Sequence, residues 1–364
     1  MSKILYMFDA GDWQSRMEVA HKAQEAGHEI VIGLINGGDK ASDFKLISIR
    51  KSGQSIGIIS SLGMVKMMRD IIAQEKPDII HVVTLKYSFM AGIAAFGFKG
   101  MRKIFTMAGL GYLFRSDDTK SKMLRLILTP FLKFIFRRQN TKLIFQNADD
   151  LELFVKGRFV RQENTALIKG SGVYLDHFEK PNESENPLIV LMPTRLVHEK
   201  GISIFVQAAR LLKEKGIAAK FQIAGGETKH NPKAITRAQM EEMTKNGAVE
   251  WLGRVDDLPK RLSSAALIVY PSYYGEGIPR VLLEACAAAK SIITTDHPGC
   301  KEAVDHDVNG YLVPVKDAEK TAEAIEELLN APDMRAQMGA KSREKAEKEF
   351  DIHIIAQKTV DMYN

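Results

Sequence analysis

Short apolar runs alternate with segments of helical period along the first half of the chain. KILYMFDA, HEIVIGLI, DIIHVVT, KIFTMAG and KLIFQN are each long enough for one buried strand, while RMEVAHKAQEAG and GMVKMMRDIIAQEK carry apolar residues at helical spacing. That alternation predicts parallel strands joined by crossover helices. At HFEKPNESENP the pattern stops, and polar residues with Pro181 and Pro187 read as a linker over 181–187. It restarts with LIVLMPTR, KFQIAGG, VEWLG, ALIVYPS, SIITTD and GYLVPV, again with helices between. The expected fold class is α/β: two doubly wound Rossmann-like domains, 1–180 and 188–345, facing a central cleft, with a final helix over 346–364 returning to the first domain.

A length of 364 residues exceeds what one continuous core usually fills, which agrees with two domains. An apolar fraction of 45% and a charged fraction of 26% are those of a globular chain. Cys286 and Cys300, with no CxxC, exclude a disulfide scaffold and are read as packing residues in a reducing compartment. The start, MSKILYMFDAGDW, has a short apolar run broken by Asp9, a first strand rather than a signal peptide, and no window is apolar enough to span a membrane.

A net charge of +6 and a pI near 9.0 permit an anionic partner without choosing among nucleotide, nucleic acid and lipid headgroup. The positive charge is densest from Lys120 to Lys142, where Lys120, Lys122, Arg125, Lys133, Arg137, Arg138 and Lys142 lie among Leu, Ile, Phe and Met with no acidic residue. Interrupted only by Pro130, this stretch reads as a helix pair. It either lies on an anionic leaflet or packs into the core with solvated lysines.

Ligands of open α/β sheets bind beyond the carboxyl ends of the strands, so the loops that follow the runs carry the candidate chemistry. Arg195 and Lys200 in TRLVHEKG meet a diphosphate if that loop shares a rim with its neighbours; for Arg195 alone a surface salt bridge is the alternative. Pro279 suits a first helical turn, so the amides reaching to Leu282 would present donors and a positive helix end to an anion. Gly275 and Gly277 let the chain approach a ligand without a Cβ. Glu276 has the wrong sign for phosphate and suits hydroxyls beyond it. Glu284, roughly 7–8 Å along the helix axis from Pro279, suits the vicinal hydroxyls of a ribose.

Two carboxylates flanking a phosphate site describe a nucleotide sugar; without that setting they read as a helix salt bridge and a solvated loop residue. Asp9 and Asp12 follow the first strand, where they are expected to face the cleft. The DHD of Asp305–Asp307 imitates a metal-binding pair but sits in a polar loop and reads as solvated surface, and His230 in HNP is equally weak, so no metal is expected. Arg195, Lys200 and the helix end supply the positive charge for a phosphate instead.

EGIPRVLLE, Glu276 to Glu284, resembles the E-x7-E motif of retaining glycosyltransferases of family GT4, and RLVHEKG resembles that family's phosphate-contacting loop. The similarity extends through QIAGG, VEWLGRVDDLPKRLSSAALIVYPSYYGEG, SIITTDHPGCKEAV and NGYLVPVKDAEKTAEAI. LIVLMPTRLVHEKGISIFVQAARLL, GGETKHNPKAITRAQMEEM and GLGYLF are similar to the PglA-type bacterial enzymes, which add an N-acetylhexosamine to a sugar on undecaprenyl diphosphate.

The resemblance implies a GT-B fold, a UDP-sugar donor in the C-terminal domain, a lipid-diphosphate-linked acceptor in the N-terminal domain, and retention of configuration. By it, Arg195, Lys200 and Glu276 are the catalytic candidates. Arg254 and Val255 would border the uracil, and Gly225, Gly277, Ile278, Arg280, Val281, Leu282 and Glu284 complete the nucleotide site. Gly109, Leu110 and Gly111 join Asp9 and Asp12 on the acceptor side, and Ala108 stands where many members carry a histidine. With no span or signal peptide, the protein is expected to be cytoplasmic and to rest on the inner face of the membrane, serving polysaccharide or glycoprotein assembly without nucleic acid. A UDP-N-acetylglucosamine epimerase of GT-B shape and a noncatalytic membrane scaffold are the rival readings. A nicotinamide oxidoreductase lacks its G-x-G-x-x-G, and a nucleic-acid binder lacks a reading motif.

Overall fold

The computed structural model describes residues 1–37, 42–49, 58–116, 118–179, 187–228 and 233–364; His230 and all of the linker but Pro187 lie outside them. The chain divides into two units: Met1–Gly172 with Gly275–Gly277 and Ile352–Asn364, and Val173–Tyr274 with Ile278–Asp351.

Among the described residues the first unit has seven strands: β1 Lys3–Asp9, β2 Glu29–Ile35, β3 Lys45–Ile49, β4 Ile79–Val83, β5 Arg102–Met107, β6 Thr141–Phe145 and β7 Thr165–Leu167. They pair in parallel in the order β3-β2-β1-β4-β5-β6-β7. Each central strand is apolar on both faces because helices cover both. In β1, Leu5 and Met7 enter one core layer while Ile4, Tyr6 and Phe8 enter the other. The helix Ile352–Asp361 packs on the helix Trp13–Glu25, closing the second layer. There Tyr363 Oη lies 2.6 Å from His81 Nδ1, and Thr106 Oγ1 lies 2.7 Å from His81 Nε2. Complete burial, and after it the charge of Arg16, pulls the His81 imidazole down to about 3.

The second unit carries β8 Leu188–Pro193, β9 Ala219–Ala224, β10 Glu250–Gly253, β11 Leu267–Tyr270, β12 Ser291–Thr295 and β13 Gly310–Val313. Its order is β10-β9-β8-β11-β12-β13, again parallel. Val190 and Met192 face one core layer, Ile189 and Leu191 the other. In both sheets β1 and β8 are central, and the strand order reverses beside them, the position at which doubly wound folds bind ligands. Cys286 and Cys300 are buried thiols in this core, and burial pushes Cys286 up to about 12.

Every apolar run named above is a strand, but two strands went unread. β3 and β7 border the first sheet and are only partly covered, so KLISI, interrupted by Ser48, and the three-residue TAL do not stand out as buried runs. The basic segment also differs from expectation: Thr119–Phe136 is one helix with Pro130 inside it, not a pair. Proline offers no N–H to the carbonyl of Leu126, a residue that is itself exposed, and the Thr129 hydroxyl takes the neighbouring Arg125 carbonyl at 2.7 Å. None of the described helices is long and apolar enough to cross a membrane.

Candidate functional site

Three loops at the carboxyl ends of β8, β9 and β11 are locked together by glycines. A Cβ on Gly225, just after β9, would fall 1.6 Å from the Thr194 carbonyl oxygen that follows β8. Gly201 has φ +80°, and a Cβ there would fall 2.1 Å from Pro271 O after β11. The Glu199 carbonyl accepts from Tyr273 N at 2.9 Å and from Ser272 Oγ at 3.2 Å. Arg195 and Lys200 are thereby held on one rim with the residues leading to the glycine loop.

The two cations are displayed differently. Arg195 is exposed, whereas Lys200 is buried with its ammonium 4.7 Å from the Tyr274 ring and 5.4 Å from the Tyr270 ring. The aromatic faces attract the ammonium they enclose. Glu199, between them in sequence, is turned away into an ion pair with Lys233. Arg254 and Val255 follow β10, where Trp251 Nε1 donates to Gly225 O at 2.9 Å and fixes the β9 and β10 loops against each other.

The helix of this site runs from Arg280 to Ala287 with Pro279 as its cap residue, one position earlier than a first-turn proline would be. Leu282 N already donates to Pro279 O at 2.9 Å, so of the amides considered for an anion Leu282 is engaged internally. Those of Arg280 and Val281 precede it at a helix start that has no side-chain cap. Glu284 is mostly buried and accepts from Arg280 Nε at 2.9 Å. Burial raises its carboxyl above the usual range, and Arg280 only partly offsets this.

The acceptor-side candidates lie in the first unit. Asp9 caps the short turn after β1, taking Gly11 N at 3.1 Å on one oxygen and Asn36 Nδ2 at 2.9 Å on the other, and the same Asn36 nitrogen donates to Tyr87 Oη at 2.8 Å. Asp12 heads the helix Trp13–Glu25, where its carbonyl accepts from Ser15 Oγ. Gly109 has φ +98°, and a Cβ there would sit 2.5 Å from the Glu276 backbone. Gly277 N donates to Ala108 O at 3.2 Å, so the position lacking a histidine contributes its backbone. Leu110 is buried and caps the short helix Gly111–Arg115.

Several residues of these rims were not found in the sequence. Gln146, buried after β6, donates to Gly170 O at 3.0 Å and fills the space a Gly277 Cβ would need. Arg115 packs on Gly275 and pairs with buried Asp150. Thr84, after β4, has φ 77° and a buried hydroxyl without a hydrogen-bond partner among the described residues. A positive φ on a β-branched residue is a costly conformation that no sequence pattern announces. Asp305 pairs with Lys345 at 2.7 Å on an exposed turn, and among the described residues no group of three His, Cys, Asp or Glu side chains could hold a metal ion.

Residues 174–345 match the family model of glycosyl transferases group 1, and residues 3–147 that of glycosyl transferase 4-like proteins. The N,N'-diacetylbacillosaminyl-diphospho-undecaprenol alpha-1,3-N-acetylgalactosaminyltransferase of Campylobacter jejuni is 30% identical over 270 residues, which cover 70% of this chain and 68% of that protein. The chain belongs to the GT4-like glycosyltransferases. Sucrose-phosphate synthase from Thermosynechococcus elongatus superposes on this glycosyltransferase with a TM-score of 0.81 at 21% identity, over 100% of this chain and 98% of the other. Anabaena HepE in complex with UDP-glucose does so with a TM-score of 0.78 at 18% identity, over 100% and 99%. The glycosyltransferase accordingly has the GT-B fold, two Rossmann-like parallel-sheet units.

Proposed function

We propose that this glycosyltransferase moves an N-acetylhexosamine from its UDP conjugate to a sugar carried on undecaprenyl diphosphate, retaining anomeric configuration and using no metal ion. The observation that carries the donor half is the locked rim of the second unit, where exposed Arg195, ring-caged Lys200 and the uncapped start at Arg280 offer charge to a diphosphate. Glu284, one turn into that helix, accepts the ribose hydroxyls, and Arg254 and Val255 flank the base. The similarity to the Campylobacter transferase supports the lipid-diphosphate acceptor and the PglA-type assignment, and the likeness to HepE with UDP-glucose supports uridine.

The bond from the anomeric carbon to the β-phosphate oxygen breaks as the acceptor oxygen bonds to that carbon, and the acceptor's proton passes to the departing phosphate. Negative charge grows on that phosphate, and Arg195 and Lys200, already in place, stabilise it more in the transition state than in the bound donor. Glu276 orients the donor hydroxyls. The first unit receives the acceptor near Asp9, Asp12 and Gly109–Gly111, with the basic helix Thr119–Phe136 resting on the inner leaflet. Isothermal titration of UDP against GDP, ADP and TDP tests the donor assignment: UDP binds tightest, and tighter GDP binding would overturn it.

A further inference from the structure

A groove of about 820 Å³ opens on the first unit where the turn Phe96–Gly100 meets the end of the helix Thr119–Phe136. It lies at the amino ends of β5 and β6, the opposite end of the sheet from Asp9 and Gly109, so the transfer chemistry does not use it. Lys99, Lys103, Lys133, Arg137 and Arg138 line it, and among the described residues no carboxylate does. The guanidinium of Arg138 is set over the rings of Phe96 at 4.7 Å and Phe134 at 5.3 Å, which fixes it without an acidic partner. Lys103 is buried and donates to Met101 O at 3.1 Å. Burial, and then the repulsion of Arg138, hold its ammonium below the usual lysine range, a cost that a bound anion would relieve.

The groove continues into an uncovered apolar face. Leu126, Phe131 and Phe134 are 77%, 58% and 58% exposed on the same helix, with Met123 and Ile127 one turn behind. Isolated apolar side chains at a surface need no explanation, but a contiguous row rimmed by cations does. A soluble anion would need the cations and not the row.

We propose that this groove seats the phosphate headgroup of an anionic phospholipid, whose acyl chains lie along the apolar face of the helix. This rests on the membrane-associated reading above and specifies it, from a diffuse basic surface to one lipid site. The test compares two double substitutions of equal charge change, Lys99→Ala with Lys103→Met inside the groove and Lys120→Ala with Lys122→Ala outside it. Each is sedimented with vesicles of phosphatidylcholine containing phosphatidylglycerol, and with phosphatidylcholine alone.

Wild type pellets with the anionic vesicles, the groove pair weakens that binding about tenfold, and the outside pair about threefold or less. Arg138→Gln reads the same groove should Lys103→Met prove poorly folded by circular dichroism. Equal losses from the two pairs would overturn the lipid site and leave a diffuse membrane attraction, whereas a wild type that ignores anionic vesicles would remove the membrane reading itself. Submillimolar binding of inorganic phosphate without vesicles would show a soluble-anion site and overturn the lipid as occupant.

Discussion

Arg280 Nε donates to Glu284 Oε1 at 2.9 Å, one turn along the helix Arg280–Ala287. Burial raises the titration of this mostly buried carboxyl, and the pair with Arg280 offsets only part of that. Since the shift is upward, protonation begins at a higher pH than for an ordinary glutamate, and UDP affinity should fall on mild acidification. Glu284→Gln should weaken UDP binding by about 1.5–3 kcal/mol and flatten that pH dependence. Calorimetric titrations across the acid range check both, and Arg280→Ala should move the wild-type midpoint upward.

Gly201→Ala and Gly225→Ala should damage the rim without touching any charge. The first places a side chain at positive φ, a conformation that costs about 1–2 kcal/mol before its clash with Pro271 O is counted. The second drives a methyl into Thr194 O. Urea unfolding should show both variants destabilised, and UDP binding should weaken in any fraction that remains folded.

Arg195→Ala and Lys200→Ala should each remove about 2–4 kcal/mol of transition-state stabilisation, read from kcat/KM. Because both would act on one diphosphate, the double variant should lose less than the sum. Lys200, enclosed by Tyr270 and Tyr274, should not be rescued by added guanidine, whereas exposed Arg195 is open to such rescue.

His81 gives the first unit a stability that depends on pH. Burial pulls its imidazole down to about 3 when folded, against an ordinary histidine value of about 6.5, so below about 6.5 the unfolded chain binds a proton that the folded one refuses. Stability should fall as pH drops through that window, by on the order of 2 kcal/mol between neutrality and pH ~5. Urea unfolding of wild type against His81→Asn measures it, and the variant should lose this part of the slope.

The alternation of apolar runs and helical segments was enough to read eleven of the strands and both sheets, because a parallel strand buried on both faces is apolar throughout. The border strands β3 and β7 carry no such imprint. The proposed donor residues stand out in the sequence because they cluster in loops after strands, as charged residues beside glycines. Gln146, Thr84, Asn36 and Tyr87 do not, since each matters through a partner distant in sequence or through a backbone angle. Pro130 misled for a related reason: a proline ends a helix only where the freed carbonyl cannot be satisfied, and on an exposed helix it can.

The most direct measurement follows label from radioactive UDP-N-acetylglucosamine, UDP-N-acetylgalactosamine and a GDP-sugar into the organic phase of a membrane lipid extract, with EDTA present throughout. One of the two UDP-sugars should donate its label to lipid. Glu276→Gln should abolish or strongly reduce that transfer while binding UDP as wild type does. Label arriving from the GDP-sugar and from neither UDP-sugar would contradict the account, as would a Glu276→Gln variant that transfers at the wild-type rate.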